Sequence, residues 1–123
     1  MHELSICQAL LDEVAQLARS HAADSVEEIV IEVGALSGVD PALLSRAFSI
    51  ARAGTCAACA TLFIEPIAVT VLCVACGTRS EVPANRLVCT TCHDFRTRVV
   101  EGDELRLRRV ALRPTAMHAA QAS

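Results

Sequence analysis

The sequence predicts an α+β fold: a small three-stranded sheet with two helices packed on it, and a cysteine-rich module inserted late in the chain. Three observations carry this. Two stretches repeat apolar residues at helical spacing, others repeat them at the two-residue spacing of strands, and residues 73–94 hold two Cys-x-x-Cys pairs among turn formers and few aliphatics.

Residues 4–19 place Leu4, Cys7, Leu11, Val14, Ala15 and Ala18 on one stripe, widened by Leu10 and Leu17. Gln8, Asp12, Glu13, Gln16 and Arg19 take the other face, which makes an amphipathic helix. Val26–Val33 switches to period two, with Ile29, Ile31 and Val33 opposite Glu28 and Glu32, a half-buried strand broken by Gly34 to Gly38. Asp40-Pro41 starts a second helix, because Asp caps free amides and Pro has none to leave unpaired. Leu43, Leu44, Ala47, Phe48 and Ala51 are its inward face, and it ends near Gly54. Thr61–Leu72 reads as a strand with Pro66 between two halves, which predicts an edge or a bulge. A last strand pair is expected from Arg96–Val100 and Glu104–Leu112, joined at Gly102-Asp103, with a bulge near Arg108-Arg109. The segment 114–123 lacks periodicity and reads as a disordered tail.

A chain of 123 residues is one domain, or one with a small satellite. The formal charge of −3, with three Phe and no Tyr or Trp, argues against a general nucleic-acid binder. No apolar run approaches the roughly 20 residues of a membrane span, and Met-His-Glu-Leu is no signal-peptide opening. The expectation is a soluble cytoplasmic chain, where seven cysteines point to metal rather than to disulfides.

Cys73-Val-Ala-Cys76-Gly77 and Cys89-Thr-Thr-Cys92 are separated by 12 residues, 77–88. Each pair sets two sulfurs on one side of a tight turn, and two such turns close a tetrahedron around Zn(II). Four thiolates leave no open position, so the expected role is structural, and the insert is too polar to hold together without its metal. The insert is therefore a zinc-ribbon module. Cys56-Ala-Ala-Cys59 lies at a helix end, either as two small half-buried residues or as a redox dithiol or auxiliary metal site. Cys7 belongs to the apolar face of the first helix.

At the N-terminus, the Met1 amine and the His2 amide nitrogen close a five-membered ring around a metal, and the same amide and His2 Nδ1 close a six-membered one. Three nitrogens then fill three corners of a square, which suits Ni(II) or Cu(II) and not tetrahedral zinc. A histidine at position 2 is equally readable as an exposed terminal residue.

Met1-His2-Glu3-Leu4-Ser5, Ile31-Glu32-Val33-Gly34, Leu36-Ser37-Gly38-Val39, Gly54-Thr55 and the two pairs Cys73/Cys76-Gly77 and Cys89/Cys92 together resemble the HypA/HybF family, from residue 1 to about 113. These are nickel metallochaperones of [NiFe]-hydrogenase maturation. The resemblance implies a non-enzymatic carrier with Ni(II) as transient cargo on His2, beside the Met1 amine and Glu3, and Zn(II) on Cys73, Cys76, Cys89 and Cys92. It implies as partners the accessory GTPase HypB and the hydrogenase large subunit, with no nucleic acid and no membrane. It also implies a nickel-binding domain of 1–70 with 104–113, and a zinc-binding domain of 71–103. Two positions depart from the family pattern: His93 stands where a Gly is common, and Cys56 and Cys59 fall where cysteine is unusual. The fourth nickel corner is left to water, Glu3, Asp40 or His93. His93 lies beside Cys92 and would join the two modules, whereas Asp40 is already explained as a cap.

The alternative function is a zinc-ribbon module binding nucleic acid or protein, favoured by the basic strip Arg106, Arg108, Arg109 and Arg113. A thiol-disulfide oxidoreductase would place its reactive pair at a helix N-terminus, whereas Cys56 and Cys59 follow a helix. No Gly-x-x-x-x-Gly-Lys-Ser/Thr loop is present, so any nucleotide hydrolysis belongs to a partner.

Overall fold

The computed structural model describes residues 2–114, with side chains from Glu3 onward. Met1, the His2 side chain and residues 115–123, which hold all but the first residue of the expected tail, lie outside the described residues. The elements in chain order are α1 (His2–Ser20), β1 (Ala23–Gly34), α2 (Pro41–Ala51), β2 (Thr61–Ile67), β3 (Val69–Cys73), β4 (Arg79–Val82), β5 (Thr97–Glu101) and β6 (Leu105–Pro114). They form two three-stranded sheets, ordered β2-β1-β6 and β4-β3-β5. By compactness the chain divides into two units. One gathers Met1–Ile31, Asp40–Phe63 and the chain from Leu107; the other gathers Glu32–Val39 and Ile64–Arg106.

In the first unit the stripe of α1 is buried as its spacing requires: Cys7, Leu11, Val14 and Ala18 are all in the core. α1 packs on α2, where Leu44 and Phe48 are buried and Cys7 Sγ lies 3.5 Å from the Leu44 carbonyl. Asp40 caps α2 as expected, its Oδ1 accepting from Ala42 N at 2.9 Å and Leu43 N at 3.4 Å. Leu43 is not inward. It is 46% exposed, because it lies about 100° around the helix from Leu44 on an 11-residue helix with one partner. In β1 Val30 is buried as well as Ile29, Ile31 and Val33, so both faces of the strand are covered there.

The stretch 61–72 is two strands, not one. Pro66 sits inside β2, an edge strand where a missing N–H is tolerated, and the break falls at Ala68. Arg96–Val100 and Glu104–Leu112 are also not a pair: β5 pairs with β3, and β6 with β1. The cause is Gly102, which is buried with φ +97° and redirects the chain between the two strands. In β6 the alternation breaks where expected, with Arg108 and Arg109 both exposed.

The second unit takes in more chain than the cysteine-rich segment, and its apolar core is built mostly from residues outside 73–94. Val69, Val71 and Val82 are buried, with Leu36, Leu87 and Val99 packed on them. β3 is its central strand, pairing Val69 with Val82 and Val71 with Ser80 on one side, and Cys73 with Thr97 on the other. Backbone approaches closely here. A Cβ on Gly34 would overlap the Gly102 carbonyl, and one on Gly102 would stand 2.6 Å from the Ala68 carbonyl oxygen.

Candidate metal centre

β3 ends on Cys73, so the central strand itself delivers the first sulfur. The chain then turns back at once: Gly77 N donates to the Cys73 carbonyl at 2.9 Å, and Cys73 N to the Thr78 carbonyl at 2.9 Å. The second pair repeats the scheme. His93 N donates to the Cys89 carbonyl at 3.0 Å, and Cys89 N to the Asp94 carbonyl at 3.0 Å. The fifth residue of each turn is left-handed, Gly77 at φ +76° and His93 at φ +63°. The departure at position 93 thus leaves the turn unchanged, and histidine takes up a conformation that glycine adopts more cheaply.

The two turns face each other across four sulfurs. Cys73, Cys76, Cys89 and Cys92 bring their Sγ atoms within 4.8 Å of one another. Cys73 and Cys92 stand 3.5 Å apart, and Cys76 and Cys89 3.6 Å. Zinc with bonds of about 2.3 Å to each sulfur demands tetrahedral edges of about 3.8 Å, so the cage fits that ion. All seven cysteines are free thiols. Backbone N–H groups aim at the sulfurs: Cys76 N at Cys73 Sγ (3.4 Å), and Thr91 N and Cys92 N at Cys89 Sγ (3.4 and 3.5 Å).

These donors set the ionisation of the site. The N–H groups of Cys92 and Thr91 draw Cys89 down from 9.0 to about 6. Cys92 goes the other way, to about 12: the Asp94 N–H lowers it, but the Cys73 sulfur, burial, and the Cys76 and Cys89 sulfurs outweigh that donor. Four thiolates this close repel strongly, and a divalent cation at their centre lets all four ionise together.

Residues outside the pairs fix the cage, and sequence reasoning missed them. The Arg96 carbonyl accepts from Val74 N at 2.9 Å, while its guanidinium forks onto Asp94 at 3.1 and 2.9 Å and holds that carboxyl down at about 2. The Asp94 carboxylate, and to a lesser degree the charges of Cys73 and Cys92, raise the Arg96 guanidinium in turn. Ser80, buried on β4, lies 2.9 Å from Thr90 Oγ1 and accepts from Thr90 N at 3.3 Å. Thr97 Oγ1 donates to the Leu87 carbonyl at 2.8 Å. Ser80 and Thr97 reach the turns through the pairing of β3 with β4 and β5, whereas Thr90, Asp94 and Arg96 are chain neighbours of the second pair.

The other expected site residues are dispersed. α1 starts at His2, so that residue's amide lies in the first turn, where a helix has no acceptor of its own for it. Glu3 is half-buried near Cys7, whose thiol is raised by burial and then by the Glu3 charge. Asp40 is occupied as the α2 cap. His93 has an exposed side chain. Cys56 and Cys59 are in the first unit, apart from the four-sulfur group. The basic strip is largely spent on ion pairs: Arg106 with Glu32 at 3.1 Å, Arg109 with Glu28 at 3.1 Å and Arg113 with Glu27 at 3.0 Å.

Comparison with known proteins agrees with this architecture. The family model for HypA, described as hydrogenase/urease nickel incorporation, metallochaperone, matches residues 1–112. The hydrogenase maturation factor HypA of Nitrosospira multiformis is 48% identical over 112 residues, 91% of this chain and 97% of that protein. That of Aquifex aeolicus is 37% identical over the same shares of the two chains. Among solved structures, the nickel metallochaperone HypA of Helicobacter pylori superposes with a TM-score of 0.69 at 25% identity, over 92% of this chain and 98% of that one. With the fold and nearly the whole length held in common, the chain belongs to the HypA family, the non-enzymatic metallochaperones of hydrogenase maturation.

Proposed function

We propose that this protein binds Ni(II) reversibly at its N-terminus and hands it on for [NiFe]-hydrogenase maturation in the cytoplasm, while Zn(II) on Cys73, Cys76, Cys89 and Cys92 holds the second unit in shape. The observation that carries the reading is the family match beginning at residue 1, which takes in Met1-His2-Glu3. The Met1 amine, the His2 amide and His2 Nδ1 supply three nitrogens, with Glu3 beside them. Water, Glu3 or His93 completes the square; the cap bonds of Asp40 make it the weakest candidate. The positive end of the α1 dipole opposes a resident cation, which suits cargo that has to leave. The first unit is the nickel carrier and the second the zinc module. HypB supplies the nucleotide hydrolysis, and the hydrogenase large subunit receives the metal.

Metal analysis of the untagged protein tests this directly. One zinc per chain is expected as isolated, and one nickel in addition after Ni(II) is supplied. His2→Ala should lose the nickel and keep zinc and fold, and one residue added ahead of Met1 should do nearly the same damage by displacing the amine. Full nickel binding by His2→Ala would overturn the N-terminal site. A Cys73→Ala protein that still held one tight zinc would overturn the assignment of the cage.

A further inference from the structure

The four-sulfur cage leaves Cys7, Cys56 and Cys59 unused; Cys7 is buried on α1, and the other two share one loop. Cys56 and Cys59 follow α2 in two successive turns, closed by Ala58 N to the Thr55 carbonyl and Ala60 N to the Ala57 carbonyl, both at 3.1 Å. Both thiols therefore leave one short arc of chain, three residues apart. The arc is clamped. Val26 N donates to the Cys56 carbonyl at 2.9 Å, Arg52 Nη1 to the Ala60 carbonyl at 2.7 Å, and Ala57 N to Thr55 Oγ1 at 3.1 Å. Ala57 and Ala60 are buried, while Cys56 is half-buried and Cys59 exposed. Both cysteines border one open cavity of about 450 Å³, together with Asp24, Glu27 and Arg113.

The donor set selects the ion. Among the described residues, only the four-cysteine cage gathers three or more metal-binding side chains. Cys56 and Cys59 therefore offer two sulfurs and no third ligand. Glu27 is engaged by Arg113, whose Nε and Nη2 donate to its Oε1 at 3.1 and 3.0 Å. A tetrahedral or square divalent ion is left half-coordinated by two thiolates. A soft monovalent ion of the Cu(I) class prefers thiolate ligands and is satisfied by two.

We propose that Cys56 and Cys59 form a second metal site, a two-thiolate clip for Cu(I) opening into this cavity. Binding converts two thiols and one Cu(I) into a bis-thiolate complex of charge −1 and releases two protons, with no change of oxidation state. The site is independent of the N-terminal nickel reading and of the zinc cage.

The test is an anaerobic titration of the zinc-loaded, reduced protein with Cu(I) against a chromophoric Cu(I) chelator, with zinc measured in the same samples. Wild type should take one Cu(I) per chain, retain its zinc and show two sulfur ligands by X-ray absorption. His2→Ala should behave identically. Single Cys56→Ser or Cys59→Ser should weaken binding by about 10²–10⁴-fold, the effective concentration that linking two ligands provides. Cys56→Ser/Cys59→Ser should not compete at all, with its zinc and circular dichroism unchanged. Uptake of Cu(I) at the expense of zinc, equal uptake by the double variant, or no uptake by wild type would each overturn the proposal.

Discussion

His93 holds a left-handed backbone at the place where the matching turn uses Gly77. Such a conformation costs an L-residue roughly 1–2 kcal/mol, offset in part by the greater chain entropy that glycine loses on folding. His93→Gly is therefore expected to stabilise the zinc-loaded protein by about 1 kcal/mol, seen as a higher midpoint in chemical unfolding. The pairs themselves were legible because a Cys-x-x-Cys turn is local chemistry. Ser80 was not, because strand pairing alone brings it to Thr90, and the Asp94–Arg96 fork beside the second pair carries no sequence signature. Cys89 adds a pH dependence. Its folded value of about 6 lies below the ordinary 9.0, so the fold favours its thiolate. That preference is complete above about pH 9 and is lost as pH falls through 6. Zinc binding to the folded site at neutral pH should accordingly release fewer than four protons. Calorimetry in buffers of different ionisation enthalpy counts the protons, and a count of four would contradict the shift.

Helices and strands emerged from the sequence wherever one face is buried, as with the stripe Cys7, Leu11, Val14 and Ala18. Pairing did not, because a period-two pattern says which side a strand buries and nothing about its neighbour. Thus 61–72 read as one strand, although β2 and β3 belong to different sheets, and β5 and β6 read as a hairpin, although each pairs elsewhere. The residue that separates the last two is Gly102, whose missing side chain is filled by the Ala68 carbonyl. Gly102→Ala should lower stability by at least about 3 kcal/mol, since a positive φ and backbone overlap add. Urea unfolding measures it. A loss below about 1 kcal/mol would mean the backbone shifts freely there.

At the scale of the molecule, each unit buries its own apolar residues, Val14, Leu44 and Phe48 in one and Val69, Val71 and Val82 in the other. The sequence reading gave the cysteine-rich module no core because it counted Val69 and Val71 with the preceding strand. Stripping zinc with a chelator should therefore spare α1 and α2 and loosen the two cysteine turns most, although structural zinc is worth on the order of 10 kcal/mol to such a module. Hydrogen exchange should speed up at Gly77, Thr91 and His93 well before Val71. Uniform acceleration throughout the chain would contradict this. The position of β1 between β2 and β6 also sets an order of events in folding. The partners in its ion pairs with β6 are 74 to 86 residues apart, whereas Cys73 and Cys92 are 19 apart, and shorter loops close first. Zinc can therefore be captured while β1 still waits with an unpaired apolar edge. A chain truncated before Leu105 would keep its metal module and leave that edge open to other nascent chains.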